Sequence, residues 1–120
     1  MPHVSSFGEF LRDRRLTRAR SDRRFSLRQV ATRIGIEPSY LSKIERGEQP
    51  PPGEETICRL ADELEADRDA LLALAGKVSG DLLEIIRHRP ALVAELLRAI
   101  RRAPARQVAE MARQVRDGEW

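Results

Sequence analysis

The sequence contains few of the residues on which several classes of protein depend. Its 120 residues include one cysteine, Cys58, and two histidines, His3 and His88. One cysteine excludes an internal disulfide and a zinc cluster built on cysteines, and neither histidine has a carboxylate or thiol at ligand spacing. We therefore expect no metal ion and no other cofactor. Aromatic residues make up only 4% of the chain, so its core must be aliphatic.

Segments that would direct the chain to a membrane are also missing. No apolar run approaches the roughly 18 residues of a membrane span, and the N-terminal stretch MPHVSSFGEF lacks the apolar centre of a signal peptide. These absences predict a soluble, cytoplasmic protein. The sequence shows no set of nucleophile, base and orienting residue and no glycine-rich phosphate loop, so we do not expect an enzyme.

Charge divides the chain into three parts. Residues 1–50 hold 11 Lys/Arg and 6 Asp/Glu, a net charge of +5, whereas residues 51–76 hold 2 and 7, a net charge of −5. Residues 77–120 hold 9 and 6, a net charge of +3. A basic part followed by an acidic one indicates a side that faces a polyanion and a side turned away from it. A solvated basic surface explains the same distribution equally well.

Hydrophobic periodicity predicts an all-α protein. Apolar residues recur at helical spacing, and few windows alternate with period two. We expect five helices in residues 6–76, followed by a C-terminal extension of two or three helices in residues 79–118. Ser6 and Glu9 have the spacing of a capping box at the start of the first helix. The apolar stripe of that helix comprises Phe7, Phe10, Leu11 and Leu16.

A turn of only three residues joins the second and third predicted helices. Ser26 can cap SLRQVATRIG, and Gly35 ends it where a left-handed residue is needed. Pro38 suits the first turn of the next helix, which Gly47 and three prolines then stop. Two helices joined this closely form the geometry of a helix-turn-helix. The outer face of the second one carries groups that can bond to bases or phosphates: Ser39, Ser42, Lys43 and Arg46.

Residues 7–76 resemble the Cro/repressor-type (XRE) helix-turn-helix domain of bacterial and phage regulators. The resemblance rests on LRDRR in the first helix, SLRQVATRIGI in the second, PSYLSKIERG in the third and the closing ICRLADELEAD. These motifs occur in the correct order, and SYLSKIERG is highly typical of the family. The resemblance implies a five-helix, lambda-repressor-like DNA-binding domain with double-stranded DNA as its partner.

Position by position, the resemblance implies roles for the polar residues around the third helix. Lys43 is the strongest candidate for reading a base, through guanine O6 or N7. Arg28 is expected at the phosphate backbone, helped by the positive end of the second helix. The residues implied to read bases are Glu37, Pro38, Ser39 and Lys43. Those implied to contact phosphates are Arg28, Tyr40, Ser42, Arg46 and Gln49.

Glu45 has a different expected role, because phosphates would repel a carboxylate. In the family, the matching glutamate pairs with an arginine of the first helix, which here corresponds to Arg15. The resemblance thus implies a structural ion pair between Arg15 and Glu45. The alternative is an exposed glutamate without a structural role.

The sequence departs from the family between the first and second helices, where LTRARSDRRF adds about five residues. Arginine is favoured in narrow minor grooves, so this segment is a candidate for contacts with DNA that flanks the main site. The alternative is a solvated helix extension stabilised by i, i+4 pairs such as Arg18 with Asp22. The candidate flanking residues are Arg18, Arg20, Arg23 and Arg24.

Residues 79–118 contain too many apolar side chains for a solvated tail. We expect them to pair with the same segment of another copy, because a homodimer matches the two-fold symmetry of a palindromic operator. They could instead fold back on their own domain or hold a partner protein, as antitoxins do. The predicted dimerisation residues are Leu82, Leu83, Ile85, Ile86, Leu92, Val93, Leu96, Leu97 and Ile100.

The sequence as a whole predicts a sequence-specific transcriptional regulator, most simply a dimeric repressor. An antitoxin-type module that binds a protein as well as its own operator is the alternative. A third hypothesis is an architectural protein that binds all DNA with nearly equal affinity.

Overall fold

A computed structural model describes residues 6–118, which form eight α-helices, one short 3₁₀ helix (Arg23–Phe25) and no strand. The predicted all-α class is therefore confirmed. His3 lies outside the described residues. None of the described helices combines the length and apolar character needed to cross a membrane. The α-helices are α1 (Phe7–Ala19), α2 (Leu27–Ile34), α3 (Pro38–Glu45), α4 (Glu54–Glu63), α5 (Arg68–Leu74), α6 (Gly80–His88), α7 (Pro90–Arg102) and α8 (Ala105–Asp117).

The chain divides into two compact units, Met1–Ser79 and Gly80–Trp120. In the first unit, α1 packs on α3, α2 on α3 and α4, and α4 on α5. These contacts enclose one aliphatic core. Leu16 is not part of it, because that side chain is 41% exposed, and its predicted place in the apolar stripe is wrong. The buried apolar residues are Phe7, Leu11, Val30, Ala31, Ile34, Leu41, Ile44, Ile57, Leu60, Ala61, Leu64, Leu71 and Leu72.

The helices of the first unit end sharply because left-handed residues follow four of them. Gly35, Gly47 and Gly76 have φ between 74° and 79°, and Glu65, at φ 53°, has the same role after α4. Such a residue lets the next N–H reach back to a carbonyl five positions earlier, as in the Schellman motif. The bonds of this kind join Ile36 N to Ala31 O (3.0 Å), Glu48 N to Lys43 O (2.8 Å), Ala66 N to Ala61 O (2.8 Å) and Lys77 N to Leu72 O (2.8 Å).

The crossing of α1 and α3 depends on a helical glycine. Gly8 is buried in the first turn of α1, and a Cβ atom there would clash with the carbonyl oxygen of Ile44 and lie 2.8 Å from that of Glu45. The backbone of α1 therefore approaches the C-terminal turn of α3 as closely as glycine allows. This approach fixes the end of α3 relative to the rest of the unit.

The second unit contains α6, α7 and α8, and none of its described helical residues is buried. Within it α6 packs on α7. Of the predicted dimerisation residues, Leu82, Ile86, Val93 and Ile100 are half-buried. The others are exposed: Leu83, Ile85, Leu92, Leu96 and Leu97.

Candidate nucleic-acid interface

The turn between α2 and α3 holds the two helices in the arrangement of a helix-turn-helix. Ser26 caps α2, its hydroxyl oxygen accepting a hydrogen bond from Gln29 N at 3.2 Å. Gly35 then reverses the chain at φ 79°, and Ile36 packs against the core from its half-buried position. Pro38 occupies the first turn of α3, where its missing N–H is no loss. The turn is therefore short, and its own residues set the end of α2 and the start of α3.

The outer face of α3 is polar along its whole length. Ser39 and Lys43 are exposed and lie four positions apart, while Ser42 is half-buried between them. Leu41, Ile44 and Glu45 occupy the opposite, buried face. Because residues three and four apart share a face of a helix, the three polar side chains form one strip that points away from the core.

Lys43, the cation of this strip, has fewer side-chain interactions than Arg46, the next cation along the chain. Its ammonium makes no hydrogen bond or ion pair within residues 6–118. Arg46, one turn further on, pairs with Glu48 at 3.0 Å, and both side chains are about half exposed. An ion pair of this exposure is weak, so it does not prevent Arg46 from meeting a phosphate.

The other residues implied to contact DNA lie around this strip. Arg28 is exposed in the first turn of α2 and makes no ion pair with any described residue. Gln49 is exposed just beyond α3, and its backbone N–H donates to Lys43 O at 3.3 Å. Glu37 is exposed immediately before α3 without capping it. Tyr40 is half-buried and packs against the core, which leaves only part of its ring accessible.

Arg15 and Glu45 form a buried ion pair that braces α1 against α3. Arg15 Nε donates to Glu45 Oε2 at 2.7 Å and Arg15 Nη2 to Glu45 Oε1 at 2.8 Å. Arg15 Nη1 also donates to the carbonyl oxygen of Phe25, at 3.3 Å. The two residues are only 8% and 7% exposed. A bidentate pair of this kind fixes direction as well as distance, so it sets how α3 is presented.

Residues 14–24, which we call the basic segment, contain several arginines that bind other parts of the first unit. Arg14 Nε donates to Leu64 O at 2.9 Å, which satisfies a carbonyl at the end of α4. Arg18 pairs with Glu65 at 3.2 Å and stacks over the ring of Phe25, 5.5 Å from its centre. The expected pair of Arg18 with Asp22 does not form. Since Glu65 lies 47 positions from Arg18, sequence spacing could not identify it.

Asp22 instead binds Arg24. Its carboxylate accepts hydrogen bonds from the backbone N–H of Arg24 at 2.9 Å and from Arg24 Nη2 at 2.8 Å. The hydrogen bonds from the Arg24 side chain lower the pKa of Asp22 below its ordinary value. The carboxylate therefore stays charged and offsets the charge of Arg24. Arg20 and Arg23, in contrast, are exposed and have no ion pair among the described residues.

Acidic residues at the end of α4 form ion pairs with several arginines of the first unit. Arg33 of α2 pairs with Glu63 at 2.7 Å, as Arg18 does with Glu65. Asp62 accepts hydrogen bonds from Arg68, and these bonds lower the pKa of Asp62. The acidic segment thus neutralises Arg18 of α1 and Arg33 of α2. Arg20, Arg23, Arg28 and Lys43 have no acidic partner among the described residues.

Sequence reasoning missed one residue that supports the turn. Arg59 of α4 reaches the end of α2, where its Nη1 donates to Ile34 O at 3.4 Å. It also pairs with Glu55 at 2.8 Å. The i, i+4 spacing of Glu55 and Arg59 could have indicated the second interaction, but no local pattern could indicate the first. Within residues 6–118, no group of His, Cys, Asp and Glu is arranged to hold a metal ion.

Comparison with known proteins agrees with this geometry. A model of the family described as helix-turn-helix domain matches residues 6–74, more than half of the chain. No curated protein and no solved structure gave a match. The matched residues include α1 to α5 and thus the whole of the turn, the polar strip and the buried ion pair. The chain belongs to the helix-turn-helix domain family, which suggests that it is a DNA-binding regulator.

Proposed function

We propose that this protein is a sequence-specific transcriptional regulator of the Cro/repressor type, acting in the cytoplasm as a homodimeric repressor on a palindromic operator. The observation that carries the proposal is the polar strip of α3, held on a helix whose opposite face is buried and braced by Arg15 and Glu45. A rigid helix with free polar groups on one side is what major-groove reading requires. No catalytic role is proposed for any residue.

The proposed contacts divide into two kinds. Lys43 and Ser39 are exposed on α3 and have no side-chain partner within residues 6–118, so we assign them to base edges, together with Glu37 and Pro38 at the start of that helix. Arg28, with Tyr40, Ser42, Arg46 and Gln49, would hold the backbone and set the register. Phosphate contacts of this kind position the protein, and base contacts supply the specificity.

The first test is to identify the bound sequence by in vitro selection and to measure affinity for it and for random DNA at physiological salt. A regulator should bind its selected site at least about 1000-fold more tightly than random DNA. Nearly equal affinities would instead indicate an architectural protein and would contradict the proposal.

Replacing Lys43 tests the assignment of the polar strip. Lys43→Ala should weaken binding to the selected site by about 1–3 kcal/mol, because alanine cannot bond to a base edge, and should relax preference at one base pair. Lys77→Ala is the matched control: it removes the same charge from an exposed position after α5 in the same unit. Equal losses of affinity for the two variants would show that Lys43 contributes charge alone.

A further inference from the structure

We propose that α7 and α8 together form the surface through which two copies of this chain associate, with apolar residues contributed by both helices. The inference deepens the homodimer of the proposed function by naming its interface. The sequence predicted dimerisation through residues 79–118, but the apolar residues that it named for the interface all lie on α6 and α7. The structure adds a groove between α7 and α8 of about 420 Å³, which we call the α7–α8 groove, lined mainly by Leu96, Ile100, Val108, Met111, Val115 and Arg116.

Exposure of the groove is the first argument. Leu96 is 46% exposed, Met111 45% and Val115 58%. On α8, Val108, Met111 and Val115 recur at helical spacing along one side. Apart from Arg116, the charged residues of that helix lie on the other side, where Arg113 pairs with Glu110 and Asp117. This division between an apolar and a charged face is that of a helix that buries one face.

The second unit also lacks the means by which small domains usually become stable. It comprises Gly80–Trp120, and no described residue of α6, α7 or α8 is buried. Chains of about 40 residues usually need disulfides, metal ions or oligomerisation. The unit has no cysteine, and no metal-binding group occurs among the described residues. Packing against a second copy would give these helices the core that they lack by themselves.

The charge of the groove favours a second copy as the occupant. A two-fold interface brings each patch against itself, so a patch with uncompensated charge would repel its own copy. Gln107 and Gln114 flank the apolar face of α8 on one side. On the other side, Arg116 forms only an exposed ion pair with Asp117, at 3.3 Å, so it can stay in solvent at the edge of the interface. The rest of the groove lining is apolar and offers a strongly charged partner no complementary group.

Two copies of the α7–α8 pair would make four helices around one apolar centre. Such a four-helix arrangement is a common stable solution for amphipathic helices. In it, Leu96, Met111 and Val115 would pass from half-exposed to buried positions. The arginines of α7 outside the apolar stripe, Arg98, Arg101 and Arg102, would stay in solvent.

Sedimentation equilibrium of the full chain tests the proposal. The wild type should have twice the mass of one 13.7 kDa chain. Met111→Glu should raise the dimer Kd by about 100-fold or more, because it places an unpaired carboxylate in the apolar centre. Met111→Leu should preserve the dimer. Arg106→Glu is the matched control, since it introduces the same side chain on the charged face of α8 and should leave the mass unchanged.

Circular dichroism shows whether Met111→Glu is monomeric only because it has unfolded. If it has, Val115→Glu provides a second substitution in the same groove. A monomeric wild type would overturn the proposal, as would a dimer that survives both Met111→Glu and Val115→Glu. A wild-type chain that dimerises only with a different protein would also overturn it and would favour an antitoxin-type role. Sedimentation and circular dichroism are measured without DNA. They therefore test the interface independently of whether the search for a bound DNA sequence succeeds.

Discussion

At the scale of single residues, the position of α3 depends on a few side chains, each of which has one specific partner. Arg15 and Glu45 are 30 positions apart in the chain, yet they meet with two short hydrogen bonds in a buried environment. Removing one member leaves a buried charge without compensation, which costs far more than the net stabilisation that the pair provides. The pair is therefore a point at which stability and the orientation of α3 are linked.

We predict that Glu45→Ala lowers the free energy of unfolding by about 3–5 kcal/mol, because Arg15 then remains buried and unpaired. Urea denaturation monitored by circular dichroism measures this decrease. Glu48→Ala is the control from the same end of α3, and since Glu48 and Arg46 are exposed it should cost less than about 1 kcal/mol. Similar decreases for the two variants would contradict a structural role for the buried pair.

Residues differ in how far the sequence could define their roles. The pairing of Glu45 with Arg15 follows from resemblance to a known motif, because the motif supplies a partner that local spacing cannot. Gly8 offered no such signal: a glycine inside a helical pattern reads as a weak position. Only the packed structure shows that the backbone of α3 occupies the space that a Cβ would need.

At the scale of elements, the sequence defines helix ends better than it defines the packing between helices. Ser26, Gly35, Pro38 and Gly47 mark the ends of α2 and α3 by local chemistry that needs no distant partner. The arginines near the end of α1 are different, because they bind groups about 50 positions away. Their number indicated DNA contacts, whereas their partners at the end of α4 show that Arg14 and Arg18 also hold the unit together.

This distinction leaves Arg20 and Arg23 as the strongest candidates for flanking DNA contacts. We predict that Arg20→Ala with Arg23→Ala weakens binding to all sequences and flattens the slope of log K against log salt by about 2, one unit for each phosphate that is no longer neutralised. Titrations of labelled duplex at several salt concentrations measure the slope. Arg87→Ala with Arg89→Ala removes the same charge from the second unit and should leave the slope unchanged.

An unchanged slope for the Arg20 and Arg23 variant would mean that the segment is a solvated extension of α1. The other two candidate arginines, Arg18 and Arg24, would then have a structural role only, through Glu65 and the Asp22 carboxylate. The experiment therefore separates the two explanations of the basic segment.

At the scale of the whole molecule, each unit lacks something different: the first has a small surface for binding DNA, and the second has no core of its own. The first has a complete core, but the surface proposed to read DNA is limited to one short helix, whose polar strip could make few base contacts. The second has no buried residue in its described helices and an apolar groove. Periodicity predicted helices in both parts of the chain, but it could not locate the groove. The apolar stripe of α8 has fewer residues than that of α7, and the groove exists only where the two stripes lie beside each other.

Association through the second unit would join two helix-turn-helix units. Once one of them is bound to DNA, binding of the other becomes intramolecular. We predict that the dimer binds a palindrome whose half-sites are about one helical turn apart, roughly 10 base pairs. Inserting about five base pairs turns one half-site to the opposite side of the duplex. Affinity should then fall to that of a single half-site, as measured by fluorescence anisotropy on matched duplexes.

The Met111→Glu variant provides the control for this coupling, because it should be monomeric while its helix-turn-helix unit is unchanged. It should bind the original and the lengthened duplex with the same affinity, equal to that of the wild type on one half-site. A wild-type protein that tolerates the insertion with its affinity unchanged would show that the two helix-turn-helix units act independently. In that case the apolar groove would stabilise the second unit without contributing to the recognition of DNA.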